Sequence, residues 1–378
     1  MLNFSTIALF LAATAANSLI IPFSSLTNKL IFKNGSQLFV SSEEPLATLQ
    51  KIVFYNSVEN KTAWDISQSS AGKNGQISEK IGYILPDDSQ LSITGVDIRR
   101  IDGFVYVIAP EDVSTSGTFH VYDVKSRAES FVMKDIVSTN VFFSTYKPTT
   151  DASIPAYSAV LSNFNYPSTT KISIYYGEPS AANEASRLLF DSSRNNGNTK
   201  IQSLTIPLGN FYVKTSGGLC SFDIRQDYNP VTKSSALTTM GALVSQNYPN
   251  TEVDAMETNE VSFENPNLLN VTITFNVLLK NLKSLKITLF GPSNSEIFSF
   301  TDTELPNNLD SNSTSAEVTR QFPIQRIRFD SLGPFAVQYN LEAPYASTTA
   351  EVITTTRSSS GTSLLTLFGS LSLLTLLK

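Results

Sequence analysis

Apolar and polar residues alternate singly along most of the chain, which is the period of strands with one buried face. In 270–275, Val271, Ile273 and Phe275 fall on one side and Asn270, Thr272 and Thr274 on the other, so the first three are expected to point inward. Similar runs predict strands at Gln50–Tyr55, Ile81–Leu85, Leu91–Ile98, Gly103–Ala109 and Thr118–Val124, with turn clusters such as Pro86-Asp87-Asp88 between them. Leu30–Val40 reads as a hairpin, because Asn34-Gly35 supplies the positive φ angles of a tight turn between two apolar runs. Further on, strands are expected at Ala159–Phe164, Lys171–Tyr176, Ile201–Pro207, Phe211–Lys214 and around Cys220. A turn or two of helix is expected only at Ala181–Leu189, and the segment Leu237–Asn259 takes no assignment.

Two phrases recur. Lys51-Ile52-Val53-Phe54-Tyr55, Lys171-Ile172-Ser173-Ile174-Tyr175 and Lys286-Ile287-Thr288-Leu289-Phe290 resemble one another. Each is followed at a distance by a Gly-x-Phe-x-Val run: Gly117–Val121, Gly209–Val213 and Gly333–Val337. The second and third copies also share Phe164-Asn165 with Phe275-Asn276, and Ile201–Ile206 with Ile324–Phe329. A module repeated three times is the simplest source of that order. The expectation is therefore an all-β chain of two to three tandem antiparallel β-sandwich modules of immunoglobulin-like type, over 17–137, 138–230 and 231–342.

The ends differ in character. Residues 1–16, with the apolar run Ile7–Ala13 before small residues, read as a signal peptide. Residues 343–358 form a Ser/Thr-rich stalk suited to O-glycosylation. Beyond it, 359–378 reads as the propeptide of a glycosylphosphatidylinositol (GPI) anchor, its apolar part Leu364–Leu377 following a small, polar run. As a helix, that apolar part would be only about 21 Å long, short for a membrane span. Ser358 is the favoured attachment residue, with Ser359, Ser360 and Ser347 as alternatives. N-glycosylation sequons stand at Asn34, Asn60, Asn270 and Asn312.

Composition narrows the chemistry. The net charge of −6 leaves no basic surface for nucleic acid. The single cysteine allows no intrachain disulfide; Cys220 shares a strand face with Phe222 and Ile224, so it is expected in the core, an intermolecular disulfide being the alternative. His120 is the only histidine and takes the place of Tyr212 and Ala336 in the other copies, which is too permissive for a catalytic group. With one His and one Cys, neither a zinc site nor a nucleophilic triad is expected, and no catalytic, metal or cofactor residue is assigned. The acid pairs Glu43-Glu44, Asp87-Asp88 and Asp302 with Glu304 sit among turn residues and read as solvated, although two carboxylates would suffice for a glycosidase. Asp330-Ser331-Leu332-Gly333 departs from the aspartic-protease triplet. Trp64 reads as a partly buried sandwich residue or as a sugar-stacking one.

In layout the chain resembles the GPI-anchored wall and surface glycoproteins of ascomycete yeasts: an N-terminal signal, the four sequons, the Ser/Thr stretch and the Leu364–Leu377 tail. Tandem immunoglobulin-like modules are similar to fungal agglutinins and adhesins, which typically carry disulfides and long stalks. The resemblance implies a non-enzymatic protein on the extracellular face of the plasma membrane or in the wall, with the membrane and wall glucan as partners. Two further functions are compatible with the residues: an adhesin or receptor that binds a glycan or protein through module loops, and a carboxylate-dependent wall carbohydrate enzyme.

Overall fold

Strands form where alternation expects them, and they pair in an order that occurs three times. The computed structural model describes residues 19–28, 30–72, 75–111, 119–144, 158–179, 184–194, 200–227, 233–234, 237–246, 248, 256–278, 284–300 and 316–344. All of them lie in the unit Met1–Pro344.

The first module comprises β1 (Leu19–Pro22), β2 (Ile31–Phe32), β3 (Gln37–Ser41), β4 (Ile52–Tyr55), β5 (Asn60–Thr62), β6 (Tyr83–Ile84), β7 (Ser89–Ile93) and β8 (Phe104–Ile108). The second comprises β9 (Glu129–Val132), β10 (Thr139–Phe143), β11 (Ser158–Asn165), β12 (Lys171–Tyr176), β13 (Leu188–Asp191), β14 (Ser203–Ile206), β15 (Asn210–Ser216) and β16 (Ser221–Asp227). The third comprises β17 (Thr239–Val244), β18 (Met256–Phe263), β19 (Val271–Leu278), β20 (Ser284–Phe290), β21 (Glu296–Phe300), β22 (Ala316–Phe322), β23 (Arg326–Leu332) and β24 (Ala336–Glu342). In every module one sheet runs first, eighth, third, sixth strand, and the other second, seventh, fourth, fifth. All of these pairings are antiparallel.

That is the jelly-roll order of two interleaved Greek keys. The immunoglobulin-like expectation is corrected accordingly: an immunoglobulin sandwich keeps its first two strands in one sheet, whereas here they lie in opposite sheets. Alternation dictates which face of a strand is buried, but says nothing about which strand lies beside it. The repeat phrases show the same limit. Phe164-Asn165 and Phe275-Asn276 lie on the third strands, and the Lys-Ile runs on the fourth, so these phrases coincide in the fold. The Gly-x-Phe-x-Val runs do not: Phe211 and Val213 lie on a seventh strand, Ala336 and Val337 on an eighth, and Phe119–Asp123 on an accessory strand.

Each sandwich has its own core. Leu38, Val40, Phe54, Leu91 and Val105 fill the first, Phe131, Phe142, Leu161, Phe211 and Phe222 the second, and Val271, Ile273, Phe275, Ile287 and Phe329 the third. The inward set read from 270–275 is the buried set. Cys220 is buried with Phe222 and Ile224, and burial pushes its thiol up to about 12, so it stays protonated and unreactive near neutral pH.

The modules are not separate beads. Several strands are buried along their whole length, including β10, β17 and most of β3 and β24. Their second face packs on the next module. Phe39, Tyr106 and Ile108 from the first module meet Val121, Val141, Phe143 and Tyr212 in one cluster. From the third, Met240, Ala242, Val244 and Ala336 join the core of the second. Gln338, almost wholly buried, spans the same seam: its amide donates to the Asp191 carbonyl and accepts from the Asp191 N–H, both at 2.9 Å.

Strands are also lent across the seams. Ser70–Ala71 and Glu79–Lys80, from the β5–β6 connection, extend the sheet of the second module through Phe119–Asp123, which pairs parallel to β10. Lys200–Ile201, from the equivalent β13–β14 connection, pairs parallel to β17. The boundary expected after residue 137 therefore moves: Phe119–Asp123 and β9 hydrogen-bond into the second sandwich. The unassigned stretch Leu237–Asn259 includes β17 and the start of β18. The helical turn expected at Ala181–Leu189 reduces, within the described residues, to a 3₁₀ turn over Glu184–Arg187 before β13. Two short helices went unread, α1 (Leu46–Leu49) and α2 (Ala63–Gln68).

Candidate functional site

Among the described residues, Lys80 and His120 are buried at the seam between the first two modules. The seam forms because the β3–β4 and β5–β6 connections sit at one end of the first module, against the strand Phe119–Asp123 and the start of β9. α2 is held there by a reciprocal cap: the Thr62 hydroxyl accepts from the Asp65 N–H at 3.1 Å, and the Asp65 carboxylate accepts from the Thr62 N–H at 3.0 Å. This cap places Trp64 half-buried on the wall of a cavity of about 510 Å³.

Lys80 crosses under the cavity. Its side chain is almost fully buried, donating to Asp123 Oδ2 at 2.6 Å and to the Ser67 carbonyl at 3.0 Å, while the Ser41 hydroxyl donates to the other Asp123 oxygen. Lys125 pairs with Glu43 across the same space. Burial pulls the Lys125 ammonium down, but Asp123, Glu43 and Glu129 together raise it above its ordinary value. Glu129 is pushed up, chiefly by burial, and among the described residues its carboxylate has no hydrogen bond. Glu44 is tied back, its Oε1 accepting from the Asp102 N–H at 3.1 Å.

Glu79 alternates with Lys80 on the lent strand and points elsewhere. Its Oε1 lies 2.5 Å from His120 Nδ1, and its Oε2 accepts from Lys134. On the other side of the ring, His120 Nε2 faces Asp135 Oδ2 at 3.6 Å. His120 is therefore a buried connector between modules. Burial raises the Glu79 carboxyl, yet the hydrogen bonds from His120 and Lys134 outweigh that and hold it below 4.5. A carboxylate shifted down stabilises the fold fully above its ordinary value, and the contribution is lost as pH falls through the folded value. Glu79→Gln is expected to cost about 1–3 kcal/mol near neutral pH. The gap in melting temperature between wild type and variant should close as pH drops below 4.5; a gap independent of pH would contradict this role.

The sequence-derived positions fall away from the seam. Asn34, Asn60 and Asn270 are exposed, in the β2–β3 turn, at the start of β5 and immediately before β19. The connections β2–β3, β4–β5 and β6–β7 meet at the opposite end of the first module, where the Asn34 N–H donates to Asp88 Oδ1 at 2.8 Å and the Ser57 hydroxyl to Asp87. Asn312, Ser347, Ser358, Ser359, Ser360, the acids Asp302 and Glu304, and the signal segment lie outside the described residues. Asp330 is engaged by the Thr258 hydroxyl at 2.7 Å and by Arg328 at 2.9 Å. Among the described residues no group of three or more His, Cys, Asp or Glu side chains is arranged to hold a metal ion, and no helix is long and apolar enough to cross a membrane.

Sequence reasoning passed over Glu79, Lys80, Asp123, Lys125, Glu129 and Asp135. Their signal was faint: Lys80 and Asp123 are charges within strand segments, which elsewhere would face solvent.

A family model described as a transmembrane glycoprotein matches residues 33–373, most of the chain. The chain belongs to the transmembrane glycoprotein family. Membership in this family makes it a surface glycoprotein. No curated protein matches it. Among solved structures it is similar to an insecticidal delta-endotoxin of Bacillus thuringiensis, at 6% identity over 88% of this chain and 60% of that one, with a TM-score of 0.20. It is also similar to the VP2 subviral particle of infectious bursal disease virus, at 7% identity over 83% and 72%, with a TM-score of 0.18.

Proposed function

We propose that this is a non-enzymatic surface glycoprotein, tethered outside the cell by a GPI anchor at Ser358 (alternatives Ser359, Ser360 and Ser347), with a structural or surface-contact role. The reading adds to family membership the small, polar, then apolar character of 358–377. Glycans on Asn34, Asn60, Asn270 and Asn312 belong to it, and the exposure of the first three gives a transferase access. An ascomycete-type wall, with glucan as the covalent partner, is the setting this layout suits. Three fused sandwiches carried on a short Ser/Thr stalk would keep the display close to the anchor surface.

A second reading, in which Leu364–Leu377 stays as a membrane span, is favoured by the description of the family as transmembrane. Treatment of intact cells with phosphatidylinositol-specific phospholipase C separates the two. The anchored form is expected to move into the medium without any Leu364–Leu377 peptide in its mass spectrum. Retention on the cells, with that peptide recovered from the purified chain, would overturn the anchor.

A further inference from the structure

We propose that the cavity between the first two modules is a carbohydrate-binding site, with Trp64 as the stacking platform and Glu129 and Asp123 as acceptors for sugar hydroxyls. The inference does not depend on how the chain is tethered. The volume of about 510 Å³ is in the range of small-ligand sites and takes one or two sugar rings. Its lining decides the chemical class. A site for an apolar ligand would be walled by aliphatic and aromatic side chains, whereas this wall is mostly hydroxyl, carboxylate and ammonium with one indole. A sugar ring offers what that arrangement needs: a C–H face to lie on the indole and hydroxyls that both donate and accept around its rim.

The polar groups are already held in place. Lys80 and Asp123 are fixed by the Ser67 carbonyl and the Ser41 hydroxyl, and Lys125 by Glu43, so little side-chain ordering is left for binding to cost. Glu129 is the exception, a cavity carboxylate without a hydrogen bond among the described residues and therefore able to accept one from a ligand. Charge argues against the other classes. Glu43, Glu44, Asp123 and Glu129 repel phosphates and nucleotides, and Lys80 and Lys125 already pair with Asp123 and Glu43, which leaves a polyamine few free carboxylates. A neutral polyol meets neither objection.

Trp64 is the only tryptophan in the chain, so intrinsic tryptophan fluorescence reports on this wall alone. Full-length protein is titrated with methyl α-mannoside, methyl β-glucoside and chitobiose, and separately with spermidine and inorganic phosphate, each up to about 50 mM so that even a Kd of about 10 mM registers. At least one sugar is expected to give a saturable change, and the two ionic probes none. Glu129→Gln should weaken that Kd about tenfold or more without moving the melting temperature. Trp64→Phe should do the same when read by calorimetry. No saturable response to any of the three sugars, a response to spermidine or phosphate alone, or an unchanged Kd in both variants would each overturn the proposal.

Discussion

Phe142→Ala is expected to destabilise the second module by about 3–5 kcal/mol. Phe142 is fully buried at the centre of that core. Its ring lies 5.2 Å from Tyr122 and 5.2 Å from Phe211, stacked on both, with Phe131 edge-on at 5.1 Å. Truncation leaves a cavity that the surrounding strands cannot close without disturbing one another. A loss of this size is a large share of the roughly 5–15 kcal/mol that a domain has. Phe142→Leu, which keeps most of the volume, should cost about 1 kcal/mol. Urea unfolding followed by fluorescence compares the three proteins. A midpoint for the alanine variant indistinguishable from wild type would mean that Phe142 does not occupy this core.

The neighbouring residue carries the second large effect, for the opposite reason. Phe143 points to the other face of β10, where it packs 5.6 Å from Phe104 and 6.3 Å from Tyr106 of the first module. Phe143→Asp places an unpaired carboxylate in that seam and is expected to cost about 3–5 kcal/mol. The damage should appear on both sides of the junction. In hydrogen exchange, peptides covering Gln37–Ser41 and Phe104–Ile108 should lose protection together with Thr139–Phe143, and Val271–Leu278 in the third module, joined through the second seam, should follow them. Modules that merely follow one another along the chain would show loss at Thr139–Phe143 alone, because the first module would never have touched the altered side chain.

These two adjacent phenylalanines also show where sequence reading reached its limit. Alternation located many of the strands, because a strand with one solvated face must alternate. A strand covered on both faces has no such requirement and becomes a continuous apolar run. Val141-Phe142-Phe143, Phe104-Val105-Tyr106-Val107-Ile108 and Met240-Gly241-Ala242-Leu243-Val244 are such runs, and they mark the seams. Alternation marks only the second of them as a strand and leaves the other two unread, and it identifies no module that any of them joins, because the covering sheet comes from elsewhere in the chain. The slipped Gly-x-Phe-x-Val match has a similar cause. A seventh and an eighth strand both need alternate apolar residues, and pairing partners are set by topology that spans tens of residues.

The candidate site was less legible still. Glu79, His120 and Asp135 come from three separate segments, and each looks like an ordinary solvated group beside its own neighbours. The reading of His120 as a poor catalytic candidate rests on Tyr212 and Ala336 as its counterparts, yet the three residues lie on strands that do not correspond in the fold. The actual surroundings of His120 depend on a strand lent by the first module, which no local pattern announces. The sequence allows Trp64 a packing role or a sugar-stacking role, and its place on the cavity wall gives the second a physical setting.

The described sandwiches are fused through buried faces and are expected to unfold together. Differential scanning calorimetry of the unmodified protein tests this most directly. The fused arrangement gives one endotherm whose calorimetric and van't Hoff enthalpies agree. Resolved successive transitions, or a calorimetric enthalpy about three times the van't Hoff value, would show three independent modules and contradict it.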